Sequence, residues 1–115
     1  MKLKILIYQD GEDIKNGMVQ LSINENNNSA YIYFSIAQWQ ELKQAVNKLE
    51  QAENHQDLAT ELTDNPLHAL YQDGKAIEMI FGGLLTIELY FQGADKKFWR
   101  FFKKAVNDFT PEEVS

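Results

Sequence analysis

AYIYFSIAQWQELKQAVNKL, residues 30–49, contains the change of hydrophobic period that decides the fold. Up to Phe34 the pattern alternates with a period of two, which predicts a strand with Ile32 and Phe34 facing inward. Tyr31 and Tyr33 occupy the opposite phase and are expected to face outward. Beyond this point the apolar residues recur with helical spacing, so a strand leads directly into a helix.

Ser35 marks the start of that helix. With Gln38 three residues later it forms the pairing of a capping box, in which each side chain bonds a free backbone N–H of the first turn. The apolar stripe falls at i, i+3, i+7 and i+10: Trp39, Leu42, Val46 and Leu49. A tryptophan on such a stripe is more often a core residue than a ligand contact, and we interpret Trp39 in this way.

Two more strands precede this stretch. Residues 2–8 alternate between an apolar face (Leu3, Ile5, Ile7) and a second face (Lys2, Lys4, Tyr8). Residues 18–24 alternate in the same way, with Val19, Leu21 and Ile23 inward. We expect a turn at residues 9–11 and a polar hairpin loop at residues 25–29. The first half of the chain therefore predicts three strands followed by a helix.

The second half predicts the same order of elements. Strands are expected at residues 67–71, 75–81 and 84–91, with turn signals at Asp73-Gly74 and Gly82-Gly83. Asp95 is expected to cap a helix that ends at Thr110-Pro111 and carries its own apolar stripe: Trp99, Phe102, Val106 and Phe109. A polar, acidic connector joins the halves, and a short helix is expected in it around residues 57–62.

The two halves also resemble each other in sequence. LIYQDG at residues 6–11 matches ALYQDG at residues 69–74, and Trp39 and Trp99 stand at equivalent places on the two stripes. We interpret this as an internal duplication within an α+β fold, an antiparallel sheet with helices packed on one face. The predicted boundaries are residues 1–115 for a single domain, 2–50 for the first repeat, 51–66 for the connector and 67–110 for the second repeat.

Composition limits the class of protein. Of the 115 residues 44% are hydrophobic, which is enough for one packed core and excludes a disordered chain. No apolar run approaches the ~20 residues of a membrane span, so no membrane association is expected. The chain contains no cysteine, which excludes disulfides, thiolate metal sites and a cysteine nucleophile. The apolar start is broken by Lys4 and is interpreted as a strand rather than a signal peptide, so we expect a cytoplasmic protein.

Charge is distributed unevenly along the chain. Of the net charge of −6, residues 1–64 contribute −5 and residues 65–115 contribute −1. An acidic chain repels nucleic acid at long range and favours a basic partner. The local exception is a run of cations without an acid: Lys96, Lys97, Arg100, Lys103 and Lys104. On a helix, Lys97, Arg100 and Lys104 form a stripe that either holds phosphates or an acidic partner, is a solvated helix back, or pairs with the acidic first half.

Residue patterns typical of catalysis are missing from the sequence. His55 and His68 are isolated, and there is no phosphate loop, nucleophile elbow or dinucleotide fingerprint. Asp10, Glu12 and Asp13 crowd a turn without the spacing of a calcium loop. We therefore expect a protein that is not an enzyme and that has no catalytic residue, no metal and no cofactor.

Tyr33-Phe34-Ser35, followed by Gln38-Trp39, resembles the closing strand and helix of the positive-cofactor-four family of single-stranded DNA-binding proteins, whose plan the Pur-alpha and Whirly proteins share. The resemblance covers residues 18–50, with a fainter copy at residues 76–109. It implies a curved antiparallel sheet that binds an unpaired strand, backed by helices that pair two units, and here both units would lie in one chain. Ile36-Ala37 stands where the family pattern has a proline. Basic residues on the predicted sheet are few, which predicts weak binding.

The leading hypothesis is a non-catalytic, weak binder of single-stranded nucleic acid that uses an open sheet face: Lys2, Lys4, Tyr31, Tyr33 and Tyr90. Aromatic rings on an open sheet stack bases. Tyrosine also suits half-exposed strands for purely structural reasons.

The second hypothesis is an acidic inhibitor or immunity-type protein that acts on a basic protein partner. Its contact residues would be Asp10, Glu12, Asp13 and the segment 50–64. A purely structural subunit is the third interpretation, and a homodimer is compatible with all three.

Overall fold

The computed structural model describes residues 3–26, 28–49, 56–57, 64–73, 76–82, 86–92 and 96–113. Its elements are, in chain order, β1 (Leu3–Tyr8), α1 (Gly11–Asn16), β2 (Met18–Glu25), β3 (Asn28–Ser35), α2 (Ile36–Leu49), β4 (Gln56–Asp57), β5 (Leu67–Asp73), β6 (Ala76–Phe81), β7 (Ile87–Phe91) and α3 (Lys96–Asp108). The order confirms the α+β fold with a repeated unit of three strands and a helix.

The strands form two antiparallel sheets rather than one continuous surface. The first has the order β1-β2-β3, and the second has the order β4-β5-β6-β7, in which the two-residue β4 extends the three strands of the second repeat. Within the described residues no hydrogen-bonded pair of strands joins the two sheets. Each repeat therefore has its own antiparallel sheet.

The segment between β1 and β2 is a short helix where the sequence predicted a turn. Asp10 caps α1: its side chain accepts a hydrogen bond from the backbone N–H of Asp13 at 2.8 Å, and the Asp13 side chain accepts one from the backbone N–H of Asp10 at 3.1 Å. Gly17 closes the helix with φ 67°, a left-handed conformation that glycine adopts without steric cost. In the second repeat only two positions separate the end of β5 at Asp73 from the start of β6 at Ala76, which is too few for an equivalent of α1.

Two other boundaries differ from the prediction. The hairpin after β2 is tighter, since β2 runs to Glu25 and β3 starts at Asn28. In the connector, Gln56–Asp57 is a strand that pairs with β5, where a helix was expected around residues 57–62. Pairing with the edge of β5 overrides the weak helical preference at Asp57, and residues 58–63 lie outside the described part of the chain.

The predicted capping box of α2 is confirmed. The backbone N–H of Ser35 donates to Gln38 Oε1 at 2.8 Å, and the backbone N–H of Gln38 donates to Ser35 Oγ at 3.1 Å. Both bonds satisfy N–H groups that a helix start leaves free. The equivalent cap of α3 was predicted at Asp95, which lies outside the described residues.

One hydrophobic core serves both repeats. Trp39 and Trp99 are 0% and 3% exposed, which confirms that both are core residues. The Trp39 ring meets Phe109 from the other repeat edge-on, with ring centroids 5.9 Å apart. Phe34 and Phe81 make a second edge-on contact between repeats at 6.4 Å. Because these contacts cross the repeat boundary, the halves stabilise each other.

Helices α2 and α3 meet at a pair of asparagines that are equivalent in the duplication. Asn47 Nδ2 donates to Asn107 Oδ1 at 2.8 Å, and Asn107 Nδ2 donates to Asn47 Oδ1 at 3.0 Å. Each amide also donates to the backbone carbonyl one turn earlier, Lys43 O or Lys103 O, at 2.9 Å. A reciprocal bond between equivalent residues is what a twofold arrangement of the two repeats produces.

Hydrogen bonds also tie the connector and the last described residues to the first repeat. Asn65, which is 5% exposed, donates to the carbonyl of Gln38 at 2.9 Å and accepts from the backbone N–H of Leu67 at 2.9 Å. Gln9 Oε1 accepts from the backbone N–H of Glu112 at 2.7 Å, and Gln9 Nε2 donates to the Glu112 carbonyl at 3.1 Å. None of the helices in the described ranges has the length and apolar character needed to cross a bilayer.

Replacing Asn107 with alanine is expected to lower the free energy of unfolding by about 1–2 kcal/mol, because Asn47 then loses its partner in a half-buried position. Asn47→Ala should cost a similar amount. The double variant should cost clearly less than the sum, since both changes remove the same pair. Urea unfolding followed by tryptophan fluorescence measures all three, with Gln44→Ala on the exposed side of α2 as the control. Strictly additive losses would show that the two amides do not interact.

Candidate binding site

The outer face of the first sheet collects aromatic side chains in register. Tyr8, Gln20 and Tyr33 are direct neighbours across β1, β2 and β3. The adjacent row consists of Leu6, Ser22 and Tyr31. We call the four large side chains of these rows the tyrosine face: Leu6, Tyr8, Tyr31 and Tyr33.

The side chains of the tyrosine face are exposed to solvent, although the side chains between them on the central strand β2 are buried. Tyr31 is 57% exposed and Tyr33 is 49% exposed, whereas Gln20 and Ser22 between the outer strands are only 6% and 3% exposed. The larger side chains of β1 and β3 cover Gln20 and Ser22 on β2, because cross-strand neighbours stand only ~5 Å apart. The outer face therefore presents apolar and aromatic side chains to solvent, with two polar side chains buried beneath them.

A third row of polar residues borders the tyrosine face. It consists of Lys4, Asn24 and Ser29. Ser29 Oγ donates to Asn24 Oδ1 at 2.5 Å, and Asn24 Nδ2 donates to Ser22 Oγ at 3.1 Å. Lys4 is exposed in this row and places a positive charge beside the aromatic surface.

The opposite border of the tyrosine face is acidic. Partial desolvation of its hydroxyl raises the pKa of Tyr8 above the usual value, and the neighbouring Tyr31 and Tyr33 raise it further, followed by Asp13 and Asp10. Tyr31 and Tyr33 therefore lie close enough to Tyr8 to influence it. A tyrosine hydroxyl can both donate and accept hydrogen bonds.

The structure separates the predicted binding residues into two groups. Lys4, Tyr31 and Tyr33 share the outer face of the first sheet, and Lys2 lies outside the described residues. Tyr90 belongs to the second sheet, where Tyr71, Glu78 and Tyr90 form a row across β5, β6 and β7. Tyr8 was placed on the outward phase by sequence and joins the first group.

Tyr71 belongs to the second row and was not among the residues predicted from the sequence. The repeat could have identified it, since the matching stretches LIYQDG and ALYQDG make Tyr71 the counterpart of Tyr8. The two rows, Tyr8–Gln20–Tyr33 and Tyr71–Glu78–Tyr90, occupy equivalent positions in the two repeats. They differ in the central residue, which is neutral in the first row and acidic in the second.

The predicted basic stripe lies on another side of the molecule. Lys97, Arg100 and Lys104 are exposed on α3, whose buried side faces the core. Lys104 pairs with Asp108 one turn later, and Phe101 beside the stripe is 65% exposed. Arg100 also lines a surface depression together with Gln72 and Trp99.

The predicted acidic contact residues have structural roles. Asp10 and Asp13 form the capping box of α1, and Asp13 is 8% exposed, whereas Asp10 and Glu12 are exposed. Segment 50–64 falls almost entirely outside the described residues, as does His55. His68 is exposed. Among the described residues no group of three or more histidines and carboxylates is placed to hold a metal ion.

Comparison of the chain with protein-family models, curated proteins and solved structures found no match.

Replacing Tyr31 and Tyr33 together with phenylalanine is expected to lower the pKa of Tyr8 toward its usual value. The neighbouring hydroxyls would no longer become negative at high pH, but the shift should persist in part because desolvation of Tyr8 is its largest cause. A pH titration of the Tyr8 ring signals by NMR measures this. An unchanged pKa in the double variant would mean that the three rings do not form one cluster.

Proposed function

We propose that this protein is a non-catalytic binding protein whose tyrosine face stacks the bases of single-stranded nucleic acid. The observation that carries the proposal is the set of three exposed tyrosines, Tyr8, Tyr31 and Tyr33, gathered on one sheet face. These exposed rings are not needed to complete the core, since the opposite face of the same sheet is already packed against the helices. The family resemblance noted in the sequence supports the same ligand.

The arrangement suits an unpaired strand rather than a duplex. Tyr31 and Tyr33 project from the same face of β3 and therefore stand about 7 Å apart along the strand. Two rings at this separation can each take a separate base, and bases are accessible for stacking only when they are not paired within a duplex. The hydroxyls and the Lys4 ammonium lie at the edges, where base edges and phosphates would fall.

Electrostatics make this a weak binding site with a small salt dependence. Lys4 is the one cation among the described residues of the three outer rows, and Asp10 and Asp13 lie near Tyr8. Each phosphate neutralised by a cation contributes about −0.7 to the slope of log K against log salt for single strands. Stacking, at about 1–3 kcal/mol per base, then supplies most of the affinity.

Tyr90 is a weaker candidate for a nucleic-acid contact than its outward position in the alternating strand pattern indicated. It stands next to Glu78 in the second row, and Glu88 is exposed on the same face. Two carboxylates beside the ring repel phosphates. We therefore assign base stacking to the first sheet alone. The acidic-inhibitor alternative loses one of its contact residues, because Asp13 is buried in the cap of α1.

Fluorescence anisotropy with a labelled mixed-sequence single-stranded oligonucleotide tests the proposal. The wild-type protein should bind saturably. Tyr31→Ala and Tyr33→Ala should each raise Kd by roughly fivefold or more, as the loss of about 1–3 kcal/mol of stacking requires. Tyr90→Ala is the matched control, since it removes an equally exposed tyrosine from the acidic second row, and it should leave Kd unchanged. Circular dichroism verifies that each variant is folded.

Measuring the same titration between 50 and 300 mM salt adds a second test. A slope of log K against log salt of about −0.7 is expected, since Lys4 neutralises one phosphate beside the tyrosine face. If the slope of log K against log salt is steep and the Tyr33→Ala variant binds normally, the binding site is the basic stripe of α3 and not the tyrosine face. Absence of binding at the lowest salt would refute the proposal.

A further inference from the structure

A second site lies on the outer face of the second sheet. A surface depression of about 200 Å³ is lined by Tyr71, Ala76, Glu78 and Tyr90. The three larger residues are the row across β5, β6 and β7, so the depression is centred on a carboxylate with a tyrosine on each side. Tyr90 is 50% exposed, which leaves its ring accessible to a ligand.

The row places one ring on each side of Glu78. Tyr71 and Tyr90 lie two strands apart, which is about 9.6 Å between their backbones, and Glu78 is the direct neighbour of both. A group held over Glu78 therefore has a tyrosine on either side. Ala76 contributes only a methyl group to the lining.

The charge of the depression favours a cation. Glu78 lies at its centre, whereas the exposed Glu88 lies in the adjacent row, opposite Ile80, and does not line it. A carboxylate forms charge-assisted hydrogen bonds with ammonium and guanidinium groups, in a bidentate way with guanidinium. The face of a tyrosine ring attracts the same cations. Carboxylate and rings therefore act on one ligand in the same direction.

The equivalent row of the first repeat has the same two tyrosines but no acid between them. Tyr8 and Tyr33 flank Gln20 there, in the positions that Tyr71 and Tyr90 take around Glu78. Gln20 is 6% exposed and neutral, so the first row offers no negative charge. The duplicated scaffold thus presents the same pair of rings with and without a carboxylate between them.

We propose that the depression formed by Tyr71, Glu78 and Tyr90 binds a guanidinium group, such as that of an arginine side chain, between the two rings and against the Glu78 carboxylate. Guanidinium is preferred over ammonium because it is planar, stacks on rings and donates two parallel hydrogen bonds. The site is separate from the tyrosine face and does not depend on nucleic-acid binding.

Titration of the full chain with N-acetyl-arginine amide tests the site, with chemical shifts of the Tyr71 and Tyr90 rings as the readout, so that the Tyr71 ring also reports on variants at position 90. N-acetyl-citrulline amide is the neutral ligand of the same shape and should cause no saturable shift. Glu78→Gln gives the second row the composition of the first and should weaken binding at least tenfold. Glu88→Gln is the matched control: it removes the same charge from the same face outside the depression and should change Kd less than twofold.

Tyr90→Leu should weaken binding at least threefold, since it removes one ring and leaves the charge. Equal binding of the citrulline derivative, or equal losses in Glu78→Gln and Glu88→Gln, would overturn the proposal, because either result means that the depression does not recognise the cation. A short arginine-containing peptide that binds at least tenfold more tightly than the free derivative would identify a protein as the source of the group. Equal affinities would identify a small guanidinium compound.

Discussion

The packing of α2 against α3 is the contact on which the rest of the molecule depends. A three-stranded sheet has one apolar face to bury, and a single amphipathic helix covers only part of it. Here each helix also meets the first strand of the other repeat, and Trp39 and Phe109 close the core between them. The reciprocal amides of Asn47 and Asn107 fix how the two helices align. Neither repeat has a complete core without the other.

That arrangement determines which faces of the sheets stay exposed. With both helices on the inner side, each sheet keeps an outer face that is not covered by another element of the described chain. Both outer faces carry a tyrosine on either side of a polar residue, at equivalent positions. A duplicated scaffold allows one row to stay neutral around Gln20 and the other to become acidic around Glu78. The two faces therefore differ in charge while the core beneath them remains the same.

Local patterns explain why so much of the fold was predictable. The switch of period at Ser35, the capping box with Gln38 and the apolar stripe from Trp39 depend on residues within one or two turns of each other. The short helix α1 was missed because Asp10, Gly11 and Gly17 are also turn residues, and only the capping geometry distinguishes the two outcomes. The strand at Gln56–Asp57 was missed because its partner, β5, lies about fifteen residues later in the chain.

The sequence by itself determined the order of strands and helices, the duplication, the buried tryptophans and the outward phase of Tyr8, Tyr31, Tyr33 and Tyr90. These features follow from periodicity, which depends only on the geometry of a single strand or helix. The tertiary structure alone decided that there are two sheets and that Tyr71 and Tyr90 stand on either side of Glu78. Such neighbours are set by hydrogen bonds between distant strands, and the register of those bonds has no signature in any local pattern.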